Sequence, residues 1–248
     1  MATEAERQQK VRDRRWYHTI ELGPGLVTPG CVDLRPHVDR YGLPERLDGL
    51  RVLDVGTADG FWAFELERRG AEVVALDVDE DSECDWPPRR RPASFSADFR
   101  GAGFELAREI LDSQAKRVHC NVYDASPERL GLFDLVFCAS VLVHLRDQLL
   151  AAERLASVCA GRLILAEQYD RPSSLLPFPI SRYQADGDQA VVFWLPARRS
   201  WGRMLWTAGF DDVHEHGTFR LKIRGRNVPQ VVLHARQSAT GAGRAAAR

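Results

Sequence analysis

The chain has 248 residues, 44% of them hydrophobic, which suffices for one large domain or one domain with elaborations, and its net charge of −1 gives no overall basic field to attract nucleic acid or a membrane surface. No apolar run is long enough to span a bilayer, and Met1 to Lys10 is polar, unlike a signal peptide. Cys31, Cys84, Cys120, Cys138 and Cys159 form no C-x-x-C pair, and the last three lie in or beside apolar segments, so buried free thiols in a reducing cytoplasm are expected.

Residues 3–15 suit a charged N-terminal helix or arm. Then comes WYHTIELGPGLVTPG (16–30), two aromatics and a histidine followed by the glycine and proline punctuation of a long loop. Two readings are open: a loop packing its aromatics on the sheet edge, or a lid in which Trp16, Tyr17 and His18 cover a bound ligand. Leu34 to Tyr41 reads as a short helix leading to the first strand. Arg51 to Val55 is β-branched and apolar, as expected of a strand buried on both faces. Gly56-Thr57-Ala58-Asp59-Gly60 is a tight turn. Phe61 to Arg69 reads as a helix with Phe61, Phe64 and Leu66 towards the sheet, ended by Gly70. Ala71 to Leu76 is a second buried strand, with Asp77 at its carboxyl end and Val78 after it.

That stretch carries chemistry. A turn of small residues lets a ligand approach the backbone, and the helix N-terminus behind it offers unpaired N–H groups. An acidic residue about twenty positions on, at the tip of the next strand, can accept hydrogen bonds from both ribose hydroxyls. The expectation is an adenosine-containing ligand on Gly56, Ala58, Gly60 and Asp77.

Residues 79–92 hold acidic residues, Pro87-Pro88 and then Arg89-Arg90-Arg91, and read as an exposed, solvated loop. Phe99 to Ala115 has helical spacing, with Phe104, Leu106, Ile110 and Leu111 as its core stripe. Arg117 to Val122 is the third strand. Its end, Asn121-Val122, is where a doubly wound fold commonly reads the adenine edge. Phe133 to Ser140 is the fourth strand, and its carboxyl end, including Cys138 and Ser140, faces the ligand edge of the sheet. Val141 onwards opens a helix to Ala160, and Gly161 to Gln168 is the fifth strand. Residues 169–189 are long and proline-rich, typical of a loop that covers a substrate. Tyr183 and, just beyond, Trp194 are its candidate substrate contacts. Trp194-Leu195-Pro196 precedes a helix to Ala208 with proline in its first turn. Val213 to Phe219 and Val228 to Ala235 are two closing antiparallel strands, and Ser238 to Arg248 reads as a disordered tail. The expected division is 1–45 as N-terminal helix and lid, 46–236 as the ligand-binding domain, and 237–248 as tail.

The nicotinamide pattern G-x-G-x-x-G is absent, because Gly56 is followed by Ala58 and Gly60. Asp54 stands two residues before the first glycine, and D-x-G-x-x-x-G resembles motif I of the class I S-adenosylmethionine (SAM) methyltransferases. The strand order fits the same resemblance, which implies a Rossmann-like α/β fold: a seven-stranded, mostly parallel sheet with an antiparallel last strand and helices on both faces. WYHTIELGPGLVTPG, GTADGFWAFELERRGAEVVALD, FDLVFCASVLVHLRDQLLAAERL and FWLPARRSWGRMLWTAGF together resemble the tRNA wobble-uridine (5-oxyacetate or 5-methoxyuridine) methyltransferase-like family, which also contains small-molecule enzymes. The resemblance spans roughly residues 16–235 and implies SAM as cofactor, S-adenosylhomocysteine (SAH) as product, and Trp16, Tyr17, His18 and Gly30 beside the cofactor.

Departures from that family matter too. Its carboxymethyltransferases hold the extra carboxylate of carboxy-SAM with a lysine, a tyrosine and an arginine. Here the tyrosine position is Val143, the arginine position is Gln230, and the loop before Gly30 has no lysine. A carboxylate without such partners is poorly bound, so plain SAM is expected. The short arm and the lack of net positive charge favour a small-molecule acceptor over tRNA. A hydroxyl acceptor benefits from a base, for which His144 is the first candidate and His18 the second. No Asn/Asp-Pro-Pro-Tyr/Phe follows the fourth strand, which argues against an exocyclic amine. His214 and His216 share a strand face without a third ligand, so no metal is expected. The expectation is a SAM-dependent methyltransferase acting on a hydroxyl oxygen of a small molecule, a sugar or natural-product intermediate. The alternatives are a tRNA wobble-uridine methyltransferase and a non-catalytic SAM-binding partner.

Overall fold

The computed structural model describes residues 4–95, 100–185 and 191–237. The elements are α1 (Glu4–Arg12), β1 (Glu21–Gly23), β2 (Leu26–Val27), β3 (Arg51–Val55), α2 (Phe61–Arg68), β4 (Glu72–Asp77), α3 (Ala102–Leu111), β5 (Lys116–His119), α4 (Pro127–Leu130), β6 (Phe133–Ala139), α5 (Gln148–Val158), β7 (Cys159–Gln168), β8 (Ser181–Tyr183), β9 (Trp194–Pro196), α6 (Arg198–Thr207), β10 (Asp212–Ile223) and β11 (Arg226–Arg236).

Seven strands form one sheet in the spatial order β5-β4-β3-β6-β7-β11-β10. β3, β4, β5, β6 and β7 are mutually parallel, and β11 runs antiparallel to both β7 and β10. This is the expected Rossmann-like arrangement with an antiparallel last strand. Alternation along each strand sends side chains to opposite faces. Val52, Val73, Ala75, Leu135, Phe137 and Ile164 join α2, α3 and the N-terminal segment in one apolar layer. Leu53, Val55, Val74, Leu76, Val136, Leu163 and Leu165 pack with α4, α5 and α6 in the other.

Several boundaries differ from the sequence expectation. Residues 16–30 are a built element, since β1 and β2 form a small hairpin and His18 bridges to Val32. Trp16, Ile20, Leu22 and Leu26 are buried in the same layer as α2, so the N-terminal segment shares the domain's core. α2 buries Trp62 and Ala63 as well as its expected stripe, because Tyr41 packs against Trp62 at 4.4 Å between ring centroids. β5 stops at His119, and Asn121 caps a short 3-10 turn by accepting the Tyr123 N–H. The segment after β6 is a 3-10 turn, Leu142–His144, broken before α5 starts at Gln148. Asp147 caps α5, and its side chain accepts the Leu150 N–H. Pro196 belongs to β9, so Ala197 is the cap of α6 and no proline lies in its first turn. Cys120, Cys138 and Cys159 are buried free thiols, as expected. Residue 99 of the predicted helix, residues 186–189 of the predicted loop and the 238–248 tail lie outside the described residues.

Candidate functional site

The turn between β3 and α2 is bent by three left-handed residues: Gly56 at φ 72°, Ala58 at φ 49° and Gly60 at φ 93°. Gly56 has no room for a side chain, since a Cβ would lie 2.4 Å from Val141 Cγ2. Gly60 is walled in by the rings of Phe64 and Phe104. Gly60 has no side chain to cap the start of α2, and the Ala63 N–H in that first turn is directed to the buried Asp54 carboxyl. Gly56 N and Thr57 N donate to Leu76 O, which sews the turn onto the end of β4.

Asp77 completes that seam. Its Oδ2 accepts the Ala58 N–H at 2.8 Å and its Oδ1 accepts the Val78 N–H at 2.8 Å. Each oxygen keeps a further lone pair, so the carboxylate can still take two hydroxyl donors. Asp59 faces the N-terminal segment instead. Its Oδ2 accepts the backbone N–H groups of both Tyr17 and His18. Gly103 of α3 makes the room, because a Cβ there would lie 2.7 Å from Asp59 Oδ1. Asp59 therefore fastens the 16–30 segment to the turn, a tie that the sequence reading missed.

These groups line one cavity of about 960 Å³ along the carboxyl edge of the sheet, at the large end of the range for ligand pockets. Trp16, Tyr17, His18, Gly56, Ala58, Asp77, Val78, Asn121, Val122, Ser140 and His144 all line it, so most expected site residues come together. Ser140, like Ala58, is a non-glycine residue at positive φ (57°), and such strain recurs at ligand sites.

Six expected residues lie off the cavity wall. Gly30 packs on the backbone of His18 and Thr19, so it shapes the crossing of the 16–30 segment. Gly60 packs on aromatic rings, as above. Cys138 points into the apolar layer under α5. Asp54 is buried, its Oδ2 has no partner among the described residues, and burial pushes its pKa up to about 7. Tyr183 and Trp194 pair with each other across β8 and β9, 4.8 Å between centroids, and are 63% and 38% exposed. Gln184, Val191 and Val192 of that segment face the cavity in their place.

Other wall residues carried no clear sequence signal. The loop after β4, read as solvated, contributes Asp81, Glu83, Cys84, Asp85 and Trp86. It is strapped down by Asp85 Oδ2, which accepts the Tyr123 hydroxyl at 2.6 Å and the Arg146 N–H at 2.7 Å. Beneath the loop after β6 sits Glu167, fully buried at the end of β7. Its carboxylate accepts the N–H groups of Val141 (2.9 Å), Leu142 (2.7 Å) and Val143 (3.3 Å). Burial raises its pKa to about 7. An acidic residue inside the apolar run LILAEQ was the available clue.

The two candidate bases differ sharply. His144 Nδ1 lies 2.6 Å from the Val191 carbonyl oxygen. A carbonyl only accepts, so the proton sits on Nδ1 and the lone pair on Nε2. Burial lowers the His144 pKa, which keeps the ring neutral at pH 7. His18 is buried with its Nδ1 unpartnered among the described residues, and burial lowers its pKa to about 3. His18 lines the cavity without a hydrogen-bond partner among the described residues to orient its ring, in contrast to His144. His214 and His216 gain a neighbour in His234, stacked on His216 at 4.7 Å. Among the described residues, no three His, Cys, Asp or Glu side chains form a group able to hold a metal.

Comparison with known proteins adds the family. Residues 32–215 match the model described as "Methyltransferase domain". The chain is 30% identical over 182 residues to a tRNA U34 carboxymethyltransferase of Pseudomonas paraeruginosa, covering 71% of this chain and 48% of that protein. It is 30% identical over 105 residues to the magnesium-protoporphyrin O-methyltransferase of Rhodobacter capsulatus, covering 42% of this chain and 38% of that one. The chain thus spans half or less of the length of these curated relatives. Among solved structures, the N-terminal domain of EvdMO1 with SAH bound superposes with TM-score 0.65 at 18% identity, covering 96% of this chain and 98% of that one. The magnesium protoporphyrin IX methyltransferase of Synechocystis with SAM bound gives 0.54 at 20% identity, covering 83% and 78%.

Proposed function

We propose a reaction for a chain that belongs to the methyltransferase-domain family: transfer of a methyl group from SAM to a hydroxyl oxygen of a small molecule, a sugar or natural-product intermediate, leaving SAH. The observation that carries this reading is the continuity of one cavity from Asp77 to His144. Asp77 and the Gly56–Gly60 turn suit the ribose and the methionine end of the cofactor, and Asn121 and Val122 suit its adenine. When bound, SAM supplies an electrophilic methyl group. The chain's own residues do the rest. Glu167 fixes the loop that carries Val143 and His144, so the acceptor pocket is preorganised. His144 Nε2 takes the proton that the acceptor hydroxyl loses as the new carbon–oxygen bond forms. Trp16, Tyr17 and His18, held by Asp59, exclude water from the methionine end.

Plain SAM is preferred over carboxy-SAM. Val143 is buried and offers no hydroxyl, and Gln230 ends in a buried oxygen without a partner among the described residues. Neither supplies a cation to an extra carboxylate.

The similarity to a tRNA carboxymethyltransferase favours a second reading, a tRNA wobble-uridine methyltransferase. A net charge of −1 opposes it. Mass spectrometry of tRNA nucleosides from a deletion strain decides between them: loss of a methoxylated uridine would establish the tRNA reading. A third reading, a SAM-binding partner without activity, is supported if SAM binds but labels no metabolite in a cell extract.

A further inference from the structure

The cavity is electrically lopsided. Asp81, Glu83 and Asp85 line it beside β4, where each has a partner: Arg100 for Asp81, His119 for Glu83 and Tyr123 for Asp85. Arg224 and Arg226 line it from the β10–β11 turn. β4 and β11 are four strand spacings apart, roughly 19 Å. Asp81, Glu83 and Asp85 thus sit with their own partners on the β4 side of the sheet, and Asp59, which also lines the cavity, is taken up by the Tyr17 and His18 N–H groups.

The fold puts these arginines on the acceptor side. β10 ends and β11 begins at the carboxyl edge of the sheet, and Ile223 pairs with Arg226 across a two-residue turn. Arg224 and Gly225 both have positive φ, 47° and 78°. Such turns ordinarily take asparagine, aspartate or glycine, so an arginine at the first position is unusual. The turn lies beyond β6 and β7, on the far side of His144 from Asp77. Arg15, immediately before residues 16–30, lines the same cavity. A second depression of about 500 Å³ is lined by Arg14, Arg15, Trp16, Pro29, Cys31 and Arg224, with no acidic residue. Burial raises the Tyr17 pKa while the charge of Arg224 lowers it, which also puts Arg224 beside the lid. Among the described residues Arg15, Arg224 and Arg226 have no acidic partner. Solvated surface arginines are common, but three converging on one cavity mouth form a binding arrangement for an anion.

We propose that the acceptor carries an anionic group, a carboxylate or a phosphate, held at the cavity mouth by Arg224 and Arg226 together with Arg15. The proposal rests on the small-molecule reading above and narrows its substrate class. The reacting hydroxyl then points inward to His144 while the charged end stays at the mouth.

The test is calorimetry on the full chain loaded with SAH, using D-glucose 1-phosphate, D-glucuronate and neutral methyl β-D-glucoside as probes. At least one anionic probe should bind about tenfold or more tighter than the glucoside, and added NaCl should weaken it. The phosphate and carboxylate arms show which group is preferred. Arg224→Ala/Arg226→Ala should erase that advantage and leave SAH affinity within about twofold. Equal binding of charged and neutral probes, or binding of none, overturns the proposal. So does a double variant that loses SAH, because the arginines would then serve the cofactor's own carboxylate. Failure of the wild-type chain to bind SAH removes the methyl-transfer reading itself, a separate result.

Discussion

Asp59 Oδ2 accepts the backbone N–H of His18 at 3.0 Å, joining residues 41 positions apart. Through that bond and the one to Tyr17, the turn that opens α2 also holds the lid. Asp59→Ala leaves two N–H groups without their acceptor, at a cost of about 1–3 kcal/mol for each one that stays buried. Urea unfolding should show a lower midpoint, and SAH affinity should fall with it. Asp59→Asn keeps an acceptor oxygen and should recover part of both. An unchanged midpoint in the alanine variant would mean that the lid is held by other contacts.

Asp77 is the cofactor test. Asp77→Ala removes the proposed ribose acceptors and the tie to Ala58, so SAH binding should weaken by about 2 kcal/mol, or roughly thirtyfold. Calorimetry on the two proteins checks this, and equal affinity would displace the ribose site from the end of β4. In the same titration, wild-type protein should bind SAM more tightly than carboxy-SAM. The reverse order would contradict the argument from Val143 and Gln230.

Asp54 and Glu167 make stability depend on pH. Burial raises both pKa values to about 7, above the ordinary 3.8 and 4.5. Between those limits the folded chain holds protons that the unfolded chain has released. Stability is therefore full below about pH 4 and falls as pH rises through 7, by up to about 1.4 kcal/mol per pH unit for each proton. Chemical denaturation from pH 5 to pH 8 should show the decline in wild-type protein and a flatter profile in Asp54→Asn. Identical slopes would show that Asp54 does not carry the linked proton.

His144→Ala should reduce kcat by on the order of 10²–10⁴ once an acceptor is in hand. With the wild-type His144 pKa held below its usual value, the rate should be level near neutrality and fall only in more acidic solution. Near wild-type turnover by the variant would dismiss His144 as the base.

Much of the frame was legible because it depends on local pattern. The β-branched runs of β3 and β4, the small-residue turn and the position of Asp77 follow from neighbours in sequence. Asp59 and Glu167 did not stand out, because their partners are 41 to 42 and 24 to 26 residues away and become neighbours only in the fold. Trp62 fell outside the expected core stripe because that reading gave α2 one buried face, whereas Tyr41 covers the other. Tyr183 and Trp194 were read as substrate contacts from their loop, yet they form a pair with each other outside the cavity wall. The loop after β4 looked solvated from its charges, and only Tyr123 and Arg146 reveal why it folds inward.

The most direct test is methyl transfer itself. Purified protein is incubated with SAM carrying a trideuterated methyl group and a panel of hydroxylated small molecules, including anionic sugars, with tRNA in a parallel reaction. Products are read by mass spectrometry and the labelled atom is located by NMR. The account predicts a trideuteromethyl group on an oxygen of a small molecule, formed with one equivalent of SAH and absent with Asp77→Ala. Label appearing in tRNA alone, or on nitrogen or carbon of the acceptor, would contradict it.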